Sequence, residues 1–478
     1  MALANLIDGA FVPARSGRSL PDYDPATGLQ VATLPDSGAA DIDVSVAAAL
    51  RAQPSWAAVA IEERATFLER IADGLAAAAS ALARLETLDT GKPIDLSSTL
   101  DVPRAVRNFR FFAGQVRHDR TDAHHGSDSL NYTLRTPIGV VGLITPWNLP
   151  LYLLSWKVAP ALAMGNCVVA KPSELTPLTA AALCEVVTAA GLPKGVFNLV
   201  HGTGPAAGEP LVAHPQVRAI SFTGGTATGA RVATIAAPLF KKLSLELGGK
   251  NPTLIFADAD LPAAAAGAVR AAFLNQGQVC LCGSRILIER SVYEQVRDAI
   301  VTDTKALVVG DPMQQGTQLG ALISPDHLAK VQGYLALARQ EGGAILCGGD
   351  RPSLPPPLAG GAFLRPTVID GLPPTCRTAT EEIFGPVATV HPFATDQEAI
   401  EIANGVRYGL SASVWTSNLA RAHRVSAAVH TGMVWVNTWL LRDLRVPFGG
   451  VKDSGLGREG GPHSLEFFSD TRNICIKL

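Results

Sequence analysis

The residues Ala219-Ile220-Ser221-Phe222-Thr223-Gly224-Gly225-Thr226-Ala227-Thr228-Gly229 are typical of a β-strand that turns through glycines into an α-helix. A strand, a turn and a helix make up half of a βαβ unit, the crossover that parallel strands require. The spacing is Gly-x-x-x-x-Gly rather than the Gly-x-Gly-x-x-Gly of ordinary dinucleotide-binding folds. This segment alone therefore leaves two interpretations open, a plain tight turn and a phosphate-binding turn at a helix N-terminus.

The same alternation continues on both sides of this turn and predicts an α/β protein. In the first half, strands are predicted at 139–144, 167–170, 196–200, 219–223 and 253–256, and helices at 151–164, 178–190, 204–213 and 229–236. In the second half, strands are predicted at 285–289, 367–370 and 434–437, and helices at 292–308, 327–341 and 397–404. We expect two α/β domains and an arm.

The region before residue 130 has a different character. The first 35 residues are punctuated by Pro and Gly and predict short strands and turns. An Ala-rich helical pattern then runs from Asp41 to about Leu88, and a further helix is predicted over 102–114. The polar stretch 118–129 is typical of a loop or a hairpin tip.

Length and composition exclude several classes of protein. The chain has 478 residues, of which 47% are hydrophobic and 17% charged, so it can bury a large core and is not disordered. Its net charge of -2 offers no positive surface for nucleic acid or for an anionic membrane. The longest apolar region, about 140–170, is interrupted by Pro146, Asn148 and Lys157 and is not a membrane span. No secretory signal is present, and we predict a cytoplasmic protein.

Cysteine and histidine usage argues against disulfides and metals. The seven cysteines are scattered, odd in number and without a Cys-x-x-Cys pair, and the ten histidines include no His-Glu-x-x-His motif. We therefore predict neither a disulfide framework nor a metal site.

Three segments carry residues suited to catalysis, each with a structural alternative. The polar turn Asn275-Gln276-Gly277-Gln278 precedes Cys280 and favours an accessible nucleophile, although a free cysteine is more often a small buried hydrophobic residue. Glu246, beside two glycines, is either a partly desolvated general base or a solvent-facing, salt-bridged strand end. Asn148, between two prolines, is either an oxyanion donor or a helix cap.

Seven motifs, in this order, resemble the aldehyde dehydrogenase superfamily, and the resemblance extends from about Leu6 to the C-terminus. The motifs are Thr-Pro-Trp-Asn at 145–148, Lys-Pro-Ser-Glu at 171–174, Phe-Thr-Gly at 222–224, Glu-Leu-Gly-Gly-Lys at 246–250, Asn-Gln-Gly-Gln-x-Cys at 275–280, Glu-Glu-Ile-Phe-Gly-Pro at 381–386 and Pro-Phe-Gly-Gly at 447–450. The resemblance implies NAD-dependent oxidation of a small-molecule aldehyde to a carboxylic acid.

The resemblance also implies the catalytic roles. The thiolate of Cys280 attacks the aldehyde carbon, and the Asn148 side chain and the Cys280 backbone N–H hold the oxyanion. Hydride transfer to the nicotinamide leaves a thioester, and Glu246 activates the water that releases the acid. Cys282 is expected to be a bystander, because many family members lack a thiol there.

Five residues match the part of the family's cofactor site that holds the adenosine and pyrophosphate. Lys171 and Glu174 match residues at the adenosine ribose, and a carboxylate there favours NAD over NADP because it would repel a 2′-phosphate. Gly224 and Gly229 match the pyrophosphate turn. Gly225 stands where many members have Ser, so a hydroxyl donor is missing and NAD binding is expected to be modestly weaker.

Three residues match the nicotinamide end, and the resemblance implies the domains. Glu382 and Phe384 match the nicotinamide-ribose contact and the ring beside it, and Trp147 is assigned to the same cofactor site. The implied fold has a Rossmann-like NAD-binding domain (1–115 and 137–247) and an α/β catalytic domain (248–446). A β-hairpin arm at 116–136, together with the C-terminal segment 447–478, is expected to build a homodimer or homotetramer.

Finer resemblance points to a class of substrate. Stretches such as KKLSLELGGKNP (241–252) and VWVNTWLLRDLRVPFGG (434–450) look most like the 2-aminomuconate and 2-hydroxymuconate semialdehyde dehydrogenases. Those substrates carry a carboxylate opposite the aldehyde, and we expect Arg104 and Arg442 to bind it. The alternative for both arginines is a surface salt bridge, for Arg442 with Asp443.

Three other functions remain as alternatives. They are a broad-specificity aldehyde dehydrogenase, a CoA-acylating enzyme and a non-catalytic structural member of the family. The general base is commonly absent from CoA-acylating members, so Glu246 argues for hydrolysis.

Overall fold

The computed structural model describes all 478 residues. The strands are β1 (Asn5–Ile7), β2 (Ala10–Val12), β3 (Ser19–Tyr23), β4 (Gln30–Pro35), β5 (Ala123–His125), β6 (Ser129–Pro137), β7 (Val140–Ile144), β8 (Cys167–Lys171), β9 (Phe197–Leu199), β10 (Val217–Thr223), β11 (Lys242–Glu246), β12 (Pro252–Ile255), β13 (Arg285–Glu289), β14 (Ala344–Cys347), β15 (Thr367–Asp370), β16 (Val387–Phe393), β17 (Tyr408–Gly409), β18 (Ser411–Trp415), β19 (Met433–Val436), β20 (Val451–Lys452), β21 (Gly455–Leu456) and β22 (Ser469–Lys477).

The helices alternate with these strands through most of the chain. They are α1 (Ala39–Ala58), α2 (Ile61–Ala77), α3 (Ala79–Thr90), α4 (Ile94–Leu96), α5 (Val102–Arg117), α6 (Pro150–Ala163), α7 (Leu178–Ala189), α8 (Glu209–Ala213), α9 (Thr226–Ala236), α10 (Leu261–Phe273), α11 (Tyr293–Ala306), α12 (Pro325–Gln340), α13 (Arg377–Thr380), α14 (Asp396–Asn404), α15 (Leu419–Ala428) and α16 (Gly461–Phe467). Two π-helical turns, Ser97–Asp101 and Gly204–Gly208, lead into α5 and α8.

The first large sheet has eight strands in the order β2-β1-β9-β8-β7-β10-β11-β21. The five strands from β9 to β11 are parallel, whereas β1, β2 and β21 are antiparallel to their neighbours. Every residue of β7 and β8 is buried, because helices cover both faces of a parallel sheet. The largest hydrophobic core of the molecule lies on this sheet.

The second large sheet has seven strands in the order β14-β15-β16-β13-β12-β18-β19, all parallel except β14. The prediction of an α/β protein with parallel βαβ units is confirmed. Most predicted strands lie within two residues of their observed bounds, because a buried parallel strand is a continuous apolar run.

A small third sheet joins distant parts of the chain. Its order is β22-β6-β5, and β22 pairs antiparallel with β6 from Ser469 opposite Pro137 to Lys477 opposite Ser129. The hairpin begins later than expected, because α5 continues through Arg117 and β5 starts at Ala123. An oligomerisation role for this sheet, like the domain limits, remains a proposal.

Two helical predictions were wrong in detail. The pattern over 41–88 is divided into α1, α2 and α3: Val59 adopts an extended conformation with ψ of 134° after α1, and Ala78, with ψ of 7°, separates α2 from α3. The predicted helix at 204–213 is a π-helical turn followed by the short α8.

Two further results concern membranes and metals. Among the helices, none combines the length and the apolar character that a membrane crossing requires. No three His, Cys, Asp or Glu side chains are grouped so that they could hold a metal ion.

Candidate active site

The segment before Cys280 follows a left-handed path. After α10 ends, Asn275, Gln276 and Gly277 have φ angles of 53°, 55° and 70°. Left-handed conformations are uncommon outside glycine. A Cβ on residue 277 would lie 2.1 Å from the carbonyl oxygen of Gly385, so only glycine fits there. This path sets the position of Cys280.

The expectation that the polar turn keeps this segment exposed was wrong. Gln276 and Gln278 are buried, and backbone groups form hydrogen bonds with one side-chain atom of each. Gln276 Nε2 donates to the carbonyl oxygen of Ala321 at 2.8 Å, and Gln278 Oε1 accepts from the N–H of Ile323 at 3.0 Å. The turn is a buried support for the cysteine rather than a solvated loop.

The Cys280 thiol is only partly exposed, and its surroundings oppose ionisation. Burial raises the thiol pKa well above its usual value, and the carboxylates of Glu246 and Glu382 raise it further. The thiol must therefore lose its proton before the sulfur attacks as a thiolate.

Asn148 reaches the same loop from the first sheet. It lies between β7 and α6, and its Nδ2 donates to the carbonyl oxygen of Gln278 at 2.9 Å. It does not cap α6, since Leu149 is the cap residue and no cap side chain accepts from the first backbone N–H groups of this helix. The second Nδ2 hydrogen and the backbone N–H of Cys280 have no partner within the protein. Two donors are thus available for an oxyanion.

Glu246 ends β11 and is buried, with 4% of its surface exposed. Its Oε1 has no hydrogen-bond partner, so the solvent-facing salt bridge considered from the sequence is wrong. Burial raises its carboxyl pKa well above the ordinary 4.5, and the nearby Glu459 carboxylate adds to this. A Cβ on residue 449 would lie 2.8 Å from Oε1, so Gly449 allows the close approach of the chain.

Sequence reasoning missed a buried ionic network behind Glu246. Lys157 Nζ donates to Glu459 Oε1 at 2.7 Å and to Ser221 Oγ at 2.8 Å, and Ser221 Oγ donates to the same carboxylate at 3.1 Å. The Lys157 ammonium partly opposes the rise in the Glu246 pKa. The sequence did contain one indication of this network, since Lys157 is a charged residue in the otherwise apolar helix α6.

A cavity of about 440 Å³ contains most of the predicted cofactor residues and ends at Cys280. Its lining includes Trp147, Asn148, Lys171, Glu174, Gly224, Gly225, Cys280, Glu382 and Phe384. Gly229 is not among them. A Cβ there would lie 2.4 Å from Leu247 Cδ2, so this glycine allows α9 to pack closely on the end of β11.

The far end of this cavity carries one ion pair. Lys171 Nζ lies 2.8 Å from Glu174 Oε2, and Glu174 is one-third exposed. Gly225 is the cap residue of α9, and a Cβ there would meet nothing within 4 Å. A helix N-terminus beside glycines suits a pyrophosphate, and a carboxylate with an adjacent ammonium suits a ribose diol. NAD therefore fits the donors and acceptors of this cavity.

The near end of the cavity is formed by Glu382 and a group of aromatic rings. Glu382 Oε1 accepts from the Gly249 N–H at 2.8 Å. Trp147 packs edge-on to Phe384 at 5.3 Å between ring centroids, and to His327 at the same distance. His327 and Lys330 of α12 also line the cavity and were missed, since single polar residues of a helix carry no motif.

A second cavity, of about 250 Å³, reaches Cys280 from another side. Its walls are mostly apolar, with Leu96, Leu100, Leu149, Tyr152, Trp156, Leu440 and Phe448 among them. Three guanidinium groups line it, those of Arg104, Arg107 and Arg442, and no carboxylate does. The structure thus brings both predicted arginines to one cavity and adds Arg107, which sequence reasoning missed.

The two predicted arginines are not in salt bridges. Arg104 is buried over the rings of Tyr152 and Trp156, at 4.9 and 5.2 Å, and its Nη2 has no partner. Arg442 lies 4.0 Å from the ring centre of Phe448. The salt bridge considered for Arg442 is wrong, because Asp443 pairs with Arg445. Arg104 Nε donates to Asn108 Oδ1 at 2.8 Å, which leaves the Nη atoms of Arg104 and the guanidinium of Arg442 free to bind an anion.

Comparisons with known proteins agree with this geometry. The model of the aldehyde dehydrogenase family matches residues 11–474. The chain is 48% identical to the 2-aminomuconic semialdehyde dehydrogenase of Danio rerio, over 100% of this chain and 98% of that protein. It is 47% identical to the 2-hydroxymuconic semialdehyde dehydrogenase of Pseudomonas sp. (strain CF600), over 100% and 99%. Betaine aldehyde dehydrogenase from Staphylococcus aureus, solved in complex with NAD+, is 38% identical with a TM-score of 0.96, covering 99% of this chain and 94% of that one.

Proposed function

This chain belongs to the aldehyde dehydrogenase family and oxidises an aldehyde with NAD as its cofactor, and we propose that its substrate is an acidic semialdehyde. The substrates that we favour are 2-aminomuconate and 2-hydroxymuconate 6-semialdehyde. The relatives named for these compounds support this choice, and so does the second cavity.

We propose that Cys280, Asn148 and Glu246 carry the reaction. The Cys280 thiol loses its proton to solvent, its sulfur attacks the aldehyde carbon, and Asn148 Nδ2 and the Cys280 N–H hold the oxyanion. Bound NAD supplies the acceptor for the hydride, which leaves the acyl group on Cys280 as a thioester. Glu246 then takes a proton from water, which attacks the thioester and releases the acid and the thiol. Cys280→Ala is expected to abolish NADH formation.

The proposed cofactor contacts follow the cavity from end to end. Lys171 and Glu174 hold the adenosine ribose and favour NAD over NADP, because the Glu174 carboxylate repels a 2′-phosphate. Gly224 and Gly225 hold the pyrophosphate at the start of α9. The other proposed contacts, at the nicotinamide end, are Glu382, Phe384 and Trp147.

One observation carries the choice of substrate: two unpaired guanidinium groups line an apolar cavity that ends at the nucleophile. Arg104 and Arg442 have no carboxylate partner in the chain, and for Arg104, which is buried, the lack of one is costly. A substrate carboxylate would supply the partner, and its apolar chain would lie against the leucines between the arginines and Cys280. A neutral aldehyde would use only the apolar part.

The test compares an acidic and a neutral aldehyde in Arg104→Met and Arg442→Ala. A charge-assisted hydrogen bond is worth about 1.5–3 kcal/mol, so KM for 5-oxopentanoate should rise by roughly 10–150-fold, whereas hexanal should be nearly unaffected. Methionine at 104 keeps the packing against Tyr152 and Trp156. Equal changes for both aldehydes, or none for either, would reject the acidic substrate in favour of broad specificity.

A second measurement addresses the thioester. NADH formation that needs no coenzyme A, with free acid as the product, is expected from the intact Glu246. Turnover only in the presence of coenzyme A would make the protein an acylating enzyme instead.

We also propose that the protein is a cytoplasmic homodimer or homotetramer. The sheet formed by β5, β6 and β22 supports the assembly, because it projects exposed apolar side chains of Leu134, Ile476 and Leu478. Light scattering on the purified chain would test the assembly.

A further inference from the structure

Arg107 lines the substrate cavity, and nothing proposed so far uses it. It follows Arg104 by three residues in α5, so the two side chains lie on one helix face, about 4.5 Å apart along the axis. Arg104 is buried, whereas Arg107 is exposed. The cavity therefore carries positive charge at two depths, an inner position at Arg104 and an outer one at Arg107.

The chain supplies no negative charge to balance this group. Arg110, one turn further along α5, pairs with Asp73 at 3.0 Å, and Arg445 pairs with Asp443. Arg107 has neither an ion pair nor a hydrogen bond within the protein, and no carboxylate lines the cavity. Burial, and then repulsion from the two neighbouring arginines of the cavity, lowers the pKa of Arg104 to about 10. Three cationic side chains that line one cavity without a carboxylate favour the binding of an anionic ligand.

One carboxylate does not need three guanidinium groups. It has two oxygens with about four lone-pair positions, and two bidentate guanidinium groups, here those of Arg104 and Arg442, fill them. The donors of Arg107 are then left for another acceptor. An oxygen on the carbon beside the carboxylate can accept from them, whereas an amino group there presents N–H donors to a side chain that has no acceptor.

Resting on the acidic-semialdehyde function above, we propose that Arg107 binds a second oxygen of the substrate, next to its carboxylate. The preferred substrate is then a 2-hydroxy acid semialdehyde, which can ionise to an enolate, rather than its 2-amino counterpart. Arg107 is a specificity-determining residue for the reaction, and it acts on binding rather than on the chemical step.

The experiment uses three aldehydes that add one group at a time. Hexanal has no anion, 5-oxopentanoate has one carboxylate, and 2-hydroxymuconate 6-semialdehyde has a carboxylate and the neighbouring oxygen. In Arg107→Gln, kcat/KM for the third compound should fall about tenfold through KM, while the first two change less than twofold. As dead-end inhibitors, 2-hydroxymuconate should bind the unmodified protein about tenfold more tightly than 2-aminomuconate, and the variant should lose this difference.

Two matched variants control the result. Arg110→Gln removes an exposed arginine of the same helix outside the cavity and should change none of these values. Arg107→Lys keeps the charge and should restore most of the preference. Equal losses on 5-oxopentanoate and 2-hydroxymuconate 6-semialdehyde, or unchanged kinetics, would overturn the role of Arg107. Failure of the acidic-substrate proposal would look different, because Arg104→Met would then fail to separate hexanal from 5-oxopentanoate.

Discussion

Glu246 is a base whose surroundings raise its pKa. Its pKa is raised by burial and by Glu459, so its deprotonated fraction grows only as the pH approaches that raised value from below. Thioester hydrolysis should therefore become faster as the pH rises through the raised pKa of Glu246. In Glu246→Gln we expect a burst of NADH, about one per site, followed by slow turnover without this rise. Stopped-flow absorbance at several pH values would measure both, and an unchanged profile in the variant would remove Glu246 from the mechanism.

Replacing Gly225 by serine is expected to improve the binding of NAD. A Cβ there meets nothing within 4 Å, and the residue has the extended conformation of a helix cap, with φ of -69° and ψ of 147°. Gly225→Ser therefore adds a hydroxyl donor at the proposed pyrophosphate position without strain, and serine is a favoured cap. One added hydrogen bond should lower the Kd for NAD roughly 2- to 10-fold, as titration calorimetry would measure. Gly225→Ala adds the Cβ alone and should give no gain.

Individual functional residues could be predicted from the sequence where they form motifs. Each of Cys280, Asn148 and Glu246 stands in such a motif. The structure places Cys280 and Asn148 at the loop that precedes the cysteine, and Glu246 at the end of β11. Lys157 and Glu459 could not be paired in advance, because they are about 300 residues apart and meet only through the fold. Predictions of exposure failed in the turn before Cys280, because only tertiary structure supplies its hydrogen-bond partners.

Among the structural elements, the left-handed turn before Cys280 is the most constrained. Gly277→Ala would bring a Cβ within 2.1 Å of a backbone oxygen and would strain a φ of 70°, so the turn must shift. A displacement of about 1 Å at a nucleophile can cost on the order of 100-fold in rate, and we expect such a loss in kcat/KM with little change in NAD affinity.

A control separates strain from collision at this turn. Gly191 has a φ of 77° with nothing within 4 Å of a Cβ, so Gly191→Ala tests backbone strain alone and should leave kcat/KM unchanged. Equal kinetics in Gly277→Ala and the unmodified protein would show that the turn does not set the position of the thiol.

Regular elements were predictable to different degrees. The strands at 285–289 and 367–370 were predicted with their observed bounds, since each is a short apolar run. The division of the alanine-rich region into α1, α2 and α3 was missed, because alanine favours helix equally on both sides of each break. Pairing between β6 and β22 depends on residues more than 300 positions apart, which no local pattern encodes.

For the whole molecule, Cys280 is the point where two separate cavities meet. Iodoacetate should therefore label Cys280 through the arginine-lined cavity while ADP-ribose occupies the larger one, and glutarate should protect the thiol. The ratio of iodoacetate to iodoacetamide labelling should be about tenfold higher at Cys280 than at the exposed Cys475. Peptide mass spectrometry would measure this ratio. Complete protection by ADP-ribose would show that the thiol is reached only from the larger cavity.

The pairing of β11 with β21 also concerns how the protein is made. Glu246 lies opposite Gly455 in this pair, so the edge of the first sheet is closed by residues translated near the end of the chain. At about 5–20 residues per second, a ribosome needs roughly 9–35 s to proceed from Cys280 to that strand. During this interval the nascent chain already contains Cys280, whereas the strand that pairs with Glu246 has not yet been made. The first sheet is therefore completed only after the last part of the chain has been translated, and a chain that ends before β21 contains Cys280 without the strand that pairs with Glu246.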